Sequence, residues 1–173
     1  MQVGTVRTAG GLDLSVHDAG PDDAVELFEA FREVVDAGVG YPQAPGSLTI
    51  EEFRDYWLDH KSLVAVARVE GAGVEGRMAG SYFLKPNFAG RGAHIVNAGY
   101  FVVAALRGQG IGEALVEHSL VEARALGFDA MQFNLVFSGN PARRLYERMG
   151  FREIGRVPDA VEGEDAVIYW RRI

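Results

Sequence analysis

Phe101-Val102-Val103-Ala104-Ala105-Leu106-Arg107-Gly108-Gln109-Gly110-Ile111-Gly112 is the stretch that decides how this chain is read. A β-type apolar run stops, glycines follow at 108, 110 and 112, and the best amphipathic helical pattern in the sequence starts at Ile111. A strand that feeds a helix through glycines aims the unpaired N–H groups of the helix's first turn, and the positive end of its dipole, at one spot. Such a spot suits a phosphate. Glycine there removes the Cβ atoms where an anion must come close, and Arg107 adds a full positive charge. No Gly-Lys-Ser/Thr follows, which excludes a Walker loop. The Gly108-x-Gly110-x-Gly112 spacing, outside a first-strand βαβ setting, excludes a dinucleotide fingerprint. A glycine turn that merely precedes an ordinary helix is the plain alternative.

Downstream, the helical pattern over 111–126 places Leu115, Val116, Leu120 and Ala123 inward, and Gly127 stops it. Residues 130–137 read as a strand with Met131, Phe133, Leu135 and Phe137 on one face and Gln132, Asn134 and Val136 on the other. Asn140 offers an N-cap, with Pro141 at the first helical position, to a short helix over 142–149. Strands over 151–157 and 166–171 flank an acidic turn. Upstream, 94–103 is a strand, and 63–69 and 77–84 form a hairpin through the glycine-rich link 71–76, so three consecutive strands make an antiparallel meander. The chain begins with a strand over 12–17. A helix capped by Asp22 or Asp23 follows, with the stripe Val25, Leu27, Phe28, Phe31, Val34 and Val35. After a proline-containing loop over 41–47, Thr49 starts a second short helix carrying Phe53, Tyr56, Trp57 and Leu58. The order predicts one α/β domain over 1–173 built on a mixed sheet.

With 173 residues, 48% of them hydrophobic, the chain has enough apolar side chains for one core. The absence of cysteine excludes disulfides, thiolate metal sites and cysteine-bound acyl intermediates. A net charge of −7 points away from nucleic acid, whose phosphates need clustered Lys and Arg, and modestly towards cationic small molecules. No run of about eighteen apolar residues occurs, and residues 1–20 lack a basic segment followed by an apolar one; the expectation is a cytoplasmic protein with no membrane partner. His17, His60, His94 and His118 lie apart with no carboxylate pattern of a metal site, so no metal is expected.

The turn Arg107 to Gly112 matches the Arg/Gln-x-x-Gly-x-Gly/Ala signature after the fourth strand of the GNAT superfamily of acyl-CoA N-acyltransferases, and the element order resembles that family over nearly the whole chain. The resemblance implies a single GNAT domain with a mixed, largely antiparallel central sheet flanked by helices, and acetyl-CoA as cosubstrate. It implies that the backbone of Arg107, Gly108, Gln109, Gly110, Ile111 and Gly112 holds the coenzyme A pyrophosphate. Phe101, Val102 and Val103 would pair with the pantetheine arm, and Asn140 and Arg143 would join the cofactor contacts. Tyr146 would face the thioester sulfur as the acid for the departing thiolate. Read from the residues alone, Asn140 is an N-cap worth about 1 kcal/mol, and Tyr146 packs beside Leu145 and Met149.

A closer resemblance runs from about Gly80 to Ala160. Gly80-Ser81-Tyr82-Phe83-Leu84-Lys85-Pro86-Asn87, Gly90-Arg91, Asn97-Ala98-Gly99 and Phe133-Asn134-Leu135-Val136 look like the proline-analogue N-acetyltransferases, which acetylate azetidine-2-carboxylate and related imino acids. It implies that Asn97 and Asn134 hold the acceptor, a small-molecule amine or imino acid; a cross-strand amide contact is the plain alternative. His94 and Glu113 are the nearby titratable candidates for a base. The expected mechanism is direct transfer in a ternary complex, with N–H groups around Val102 and Val103 holding the oxyanion. An acyl-CoA-binding regulatory module without catalysis and a lysine or N-terminal protein acetyltransferase remain alternatives. The loop 41–47 is a candidate lid, and 151–157 and 166–171 are candidate edge strands for a homodimer.

Overall fold

The computed structural model describes residues 4–38, 40–71 and 76–173. Eight strands form one sheet: β1 (Gly4–Arg7), β2 (Asp13–Asp18), β3 (Leu63–Glu70), β4 (Met78–Pro86), β5 (Ile95–Val102), β6 (Ala130–Phe137), β7 (Arg152–Val161) and β8 (Glu164–Arg172), in spatial order β1-β2-β3-β4-β5-β6-β8-β7. Four helices, α1 (Ala24–Asp36), α2 (Ile50–Phe53), α3 (Ile111–Ala125) and α4 (Arg143–Arg148), complete the domain. Every pairing is antiparallel except β5 with β6, which α3 connects. That parallel pairing covers only Ile95 opposite Ala130 and Val96 opposite Met131, after which the strands part. Among the described residues no helix is long and apolar enough to cross a membrane.

The sheet carries a core on each face. On one, Leu14, Tyr82, Leu84, Val96, Met131, Phe133 and Tyr169 meet Ile111 and Leu115 of α3. On the other, Val66, Phe83 and Phe101 meet Leu27, Phe31 and Val35 of α1 together with Phe53 and Trp57. Leu27, Phe31, Val34 and Val35 fall on one stripe of α1, so the helix forms by burying that stripe. Phe31 and Trp57 are fully buried with ring centroids 4.8 Å apart, and burial of side chains this size contributes about 2–3 kcal/mol each. The Trp57 indole N–H donates to the buried Ser81 hydroxyl at 3.1 Å, so neither polar group is orphaned.

The structure departs from the sequence expectations at several points. Strand β1 was not expected: Val6 is the one large apolar residue in Gly-Thr-Val-Arg, and the strand exists because its backbone pairs with β2. Neither Asp22 nor Asp23 caps α1 through its side chain; the Asp23 carboxylate accepts from the Gly20 N–H at 2.8 Å and pairs with Arg68 at 2.7 Å. Thr49 does cap α2, in a reciprocal box with Glu52, but α2 stops at Phe53 and a π turn over Arg54–Leu58 follows, burying Trp57. In β6 a bulge between Phe133 and Val136 breaks the expected alternation, so Val136 rather than Leu135 turns into the core with Phe133. Regular helix α4 starts at Arg143, after Pro141 and Ala142. Of the two proposed edge strands only β7 is an edge, since β8 lies between β6 and β7. Residues 72–75 of the 71–76 link lie outside the described residues; the Gly76 N–H closes the hairpin onto the Val69 carbonyl at 2.9 Å.

All six tyrosines have their pKa raised, with burial the largest cause in each, Tyr56 to about 12. An unfolded tyrosine ionises near pH 10, so the folded chain holds protons that the unfolded chain releases above that point. Stability is therefore expected to be insensitive to tyrosine ionisation below about pH 10 and to fall steeply above it. Tyrosinate absorbance followed together with circular dichroism is expected to appear at unfolding; a full tyrosine titration near pH 10 in the still-folded protein contradicts this.

Candidate active site

Where β5 and β6 part, a cavity of about 540 Å³ opens. The sequence at 101–112 shapes one end of it. After β5 the chain makes a short 3₁₀ turn over Ala104–Leu106 and passes through Gly108 (φ +79°) and Gly110 (φ +78°), left-handed conformations that glycine adopts without strain. Gly110 is also a close approach: a Cβ there would stand 2.9 Å from the Ala9 nitrogen and 3.2 Å from the Ala9 Cβ. The β1–β2 turn thus packs on the outer side of the loop, where the Gly10 N–H donates to the Gln109 carbonyl at 3.2 Å. The inner side is open. A Cβ at Gly108 would meet nothing within 4 Å, and at Gly112 only Val102 and Leu145 at 3.9 and 4.0 Å. Gly110 gives α3 no side-chain cap, and the first intrahelical bond runs from the Ala114 N–H to the Gly110 carbonyl at 3.1 Å. Among the described residues no side chain accepts from Ile111, Gly112 or Glu113, so a fan of N–H groups faces a glycine-lined space.

The parting of the strands supplies a second run of backbone. The Val103 N–H donates to the Ala79 carbonyl on β4 at 3.0 Å, so by strand alternation the Val102 N–H points the other way, into the gap. Of the two N–H groups expected to hold an oxyanion, that of Val103 is given to β4 and that of Val102 points into the gap. The Tyr100 carbonyl, also on the gap side, accepts from the Tyr41 hydroxyl.

Phe101, Val102, Arg107, Gly108, Gly110, Ile111 and Gly112 line the cavity, as do Asn97, Asn134, Asn140 and Tyr146. Val103, Gln109 and Arg143 do not. Arg143 is spent elsewhere: it donates to the Tyr169 hydroxyl at 2.9 Å and the Ser138 carbonyl at 2.8 Å and sits within 4 Å of Glu147 and Glu153. Asn97 donates through Nδ2 to the Gln132 carbonyl at 2.9 Å, just beyond the last parallel pair, tying β5 to β6 where the ladder ends. Asn134 belongs to an amide cluster, donating to Asn87 at 2.6 Å and accepting from Gln132 at 2.9 Å. Asn140 accepts from the Ala142 N–H at 2.9 Å, so it caps the turn into α4 while lining the cavity.

Tyr146 packs on Phe133 with ring centroids 4.6 Å apart, and among the described residues its hydroxyl has no hydrogen-bond partner. Burial raises its pKa well above that of a free phenol, with the charge of Tyr169 second, so it stays protonated at neutral pH. His94 is bonded to the Arg91 carbonyl at 3.0 Å and Glu113 faces Arg148 at 3.8 Å; neither lines the cavity. Of the loop 41–47 only Tyr41 and Pro42 reach it.

The far end was missed by sequence reasoning. Tyr41, Tyr56, Phe83, Lys85 and Gly99 form it. Phe83 stands opposite Gly99, where a Cβ would come 2.5 Å from the ring, so this glycine is what lets the ring lie on β5. The signal was present as the alternation of Phe83 and Lys85 along β4, but only the register with β5 shows which face they share. Tyr56 also has no hydroxyl partner among the described residues, and burial pushes its pKa up to about 12.

The model of the acetyltransferase (GNAT) family matches residues 25–151. A solved structure described as a GCN5-related N-acetyltransferase from Kribbella flavida is 35% identical, superimposes with a TM-score of 0.82, and the match covers 92% of this chain and 98% of that one. Two curated relatives match a shorter stretch: N-acetyltransferase aca1 of Schizosaccharomyces pombe, 40% identical over 84 residues, and protein SPT10 of Saccharomyces cerevisiae, 39% identical over 87 residues. Those matches take in 48% and 50% of this chain but only 40% and 14% of the respective relatives, so what this chain shares with each spans less than half of that relative's length. With the signature turn, the split between β5 and β6 and the family match over most of its length, the chain belongs to the GNAT family of acetyl-CoA-dependent N-acetyltransferases.

Proposed function

We propose that this chain transfers the acetyl group of acetyl-CoA directly to the amine of a small molecule, in a ternary complex, and that the acceptor is an amino or imino acid of the proline-analogue type. The observation that carries the reading is the meeting, in one gap between strands, of a glycine-lined helix N-terminus and the Tyr146 hydroxyl, which has no partner among the described residues. The residues fit acetyl-CoA in three ways. Free N–H groups of α3 suit a pyrophosphate, the space beside Gly112 is one a Cβ would fill, and the free edge of β5 suits an arm that carries amides of its own. When bound, the thioester supplies an activated acyl carbon and a thiolate as leaving group.

The chain's own residues then act as follows. The Val102 N–H donates to the oxygen that gains charge as the amine attacks. Tyr146 gives its proton to sulfur as the C–S bond breaks and regains one from solvent. The new N–C bond forms from a neutral amine. No carboxylate or imidazole lines the cavity among the described residues, so the amine's proton leaves to water.

The test is thiol release from acetyl-CoA across a panel of amines that includes azetidine-2-carboxylate, proline, polyamines, aminoglycosides and lysine peptides. The chain has no cysteine, so a thiol reagent reads only the released coenzyme A. Turnover confined to peptides overturns the small-molecule reading. Tyr146→Phe is expected to lower kcat by about 10²-fold while calorimetric acetyl-CoA affinity stays within about twofold. Unchanged kcat rejects the acid role, and a comparable loss in Tyr56→Phe alone moves that role across the cavity. Because burial holds the Tyr146 pKa above that of a free phenol, the wild-type kcat profile is expected to show no falling limb below about pH 10. Gly110 serves both the loop and its packing on Ala9, so Gly112 gives the cleaner probe. Gly112→Leu is expected to keep the wild-type circular dichroism and to weaken acetyl-CoA binding about 100-fold or more, and retained affinity rejects the site.

A further inference from the structure

The cavity carries charge of one sign. Of the described side chains that line it, two are charged, Lys85 and Arg107, and none is an Asp, Glu or His, in a chain whose formal net charge is −7. Arg107 sits on the glycine loop, at the end suited to phosphate. Lys85 lies at the opposite end, on β4, in the register position directly across from Asn97. Its Nζ is 5.9 Å from the centroid of the Phe83 ring, and Lys61 brings a second ammonium to 5.5 Å from the same ring. The two lysines are not equivalent. Lys61 is committed, donating to the Asp55 carbonyl at 2.9 Å and the Asp59 carbonyl at 2.6 Å. Lys85 has, among the described residues, neither an ion pair nor a hydrogen bond, although it is half-buried.

Two ammonium groups beside one ring repel each other. The Lys61 pKa is lowered, by burial first and by the charge of Lys85 next. A partly buried pair of like charges becomes favourable when an anion comes between them or against one of them. The carboxylates of Asp55 and Asp59 act on Lys61 and offset part of this repulsion, whereas Lys85 has no ion pair among the described residues and faces the part of the cavity that the phosphates of acetyl-CoA do not need. We infer that Lys85 is the specificity-determining cation of the acceptor end and that it binds a carboxylate carried close to the acceptor's amine. This rests on the acyl-transfer reading. A carboxylate against Lys85 leaves the amine beside Asn97, whose Nδ2 is already given to Gln132 and whose Oδ1 has no partner among the described residues, so that an N–H of the acceptor can donate to it. Acceptors with several cationic groups, such as polyamines and aminoglycosides, are excluded by the same charges, which reverses the preference for cationic small molecules expected from net charge alone.

The experiment compares azetidine-2-carboxylate with its carboxamide, and proline with prolinamide, as acceptors for the wild type and Lys85→Gln. The wild type is expected to favour the carboxylates by about 10- to 100-fold in kcat/KM, the usual weight of a hydrogen-bonded charge. In Lys85→Gln that ratio is expected to collapse to within about threefold, through KM rather than kcat, with an unchanged melting temperature. Equal use of acid and amide by the wild type, or a full ratio kept by the variant, overturns the assignment. If no acceptor releases thiol, the acyl-transfer reading fails, and the charge assignment is decided by calorimetry with N-acetylproline and N-acetylprolinamide in the presence of coenzyme A. About tenfold tighter binding of the acid, lost in Lys85→Gln, supports it. Equal binding, or binding of neither, overturns it.

Discussion

The constraint on which the rest depends is the short life of the β5–β6 ladder. Two residue pairs in, the strands part, and each goes on with one edge of its backbone unsatisfied. Buried N–H and C=O groups left without partners cost about as much as a lost hydrogen bond each. The chain offsets part of this with Asn97 reaching the Gln132 carbonyl and Tyr41 reaching the Tyr100 carbonyl. What is left over, the N–H of Val102 and the first turn of α3, is the main-chain surface on which the proposed cofactor site rests. It requires of its residues mainly that they stay out of the way, which is why glycine recurs at 108, 110 and 112.

A site built from backbone has little ionisable chemistry of its own, and the surrounding aromatic rings sharpen that property. Burial raises the pKa of every tyrosine here, so each hydroxyl in the cavity remains a proton donor throughout the neutral range. Of the four tyrosines that line it among the described residues, two spend their hydroxyls on the protein, Tyr41 on a carbonyl of β5 and Tyr100 on Ser119. Tyr146 and Tyr56, on opposite walls of the gap, have no hydroxyl partner among the described residues, and of these two Tyr146 stands on the side of α4 and β6. In the proposed reaction, proton supply for the leaving group and proton removal from the incoming amine are thus separated, the first falling to a side chain and the second to solvent.

Sequence reasoning reached those parts of the molecule whose cause is local. The turn at 107–112 was legible because glycine spacing and the helix behind it are contiguous, and the Thr49 cap because its partner is three residues away. It failed where a distant partner decides. Strand β1 has too few apolar residues to declare itself and exists through β2. Val136 faces the core because a bulge opposite β8 resets the alternation of β6. Val103 and Val102 look alike in sequence, yet a hydrogen bond to Ala79 turns one away from the gap. Arg143, one turn from Tyr146, is expected at the cofactor by position, whereas Tyr169, Ser138 and two glutamates hold its guanidinium and it does not line the cavity.

Charge shows the same limit most sharply. Net charge is a sum over the surface, and it governs long-range steering and solubility. Recognition is settled inside the cavity, where the few side chains that remain after desolvation set the potential at close range. Among the described residues, none of the acidic side chains lines the gap; they are paired in part with Arg7, Arg32, Arg68 and Arg156, while the walls of the gap retain Arg107 and Lys85. An acidic protein can therefore present a cationic pocket, and the sign that bears on the proposed acceptor is the one read from the strand register around Lys85 and Asn97 rather than from composition.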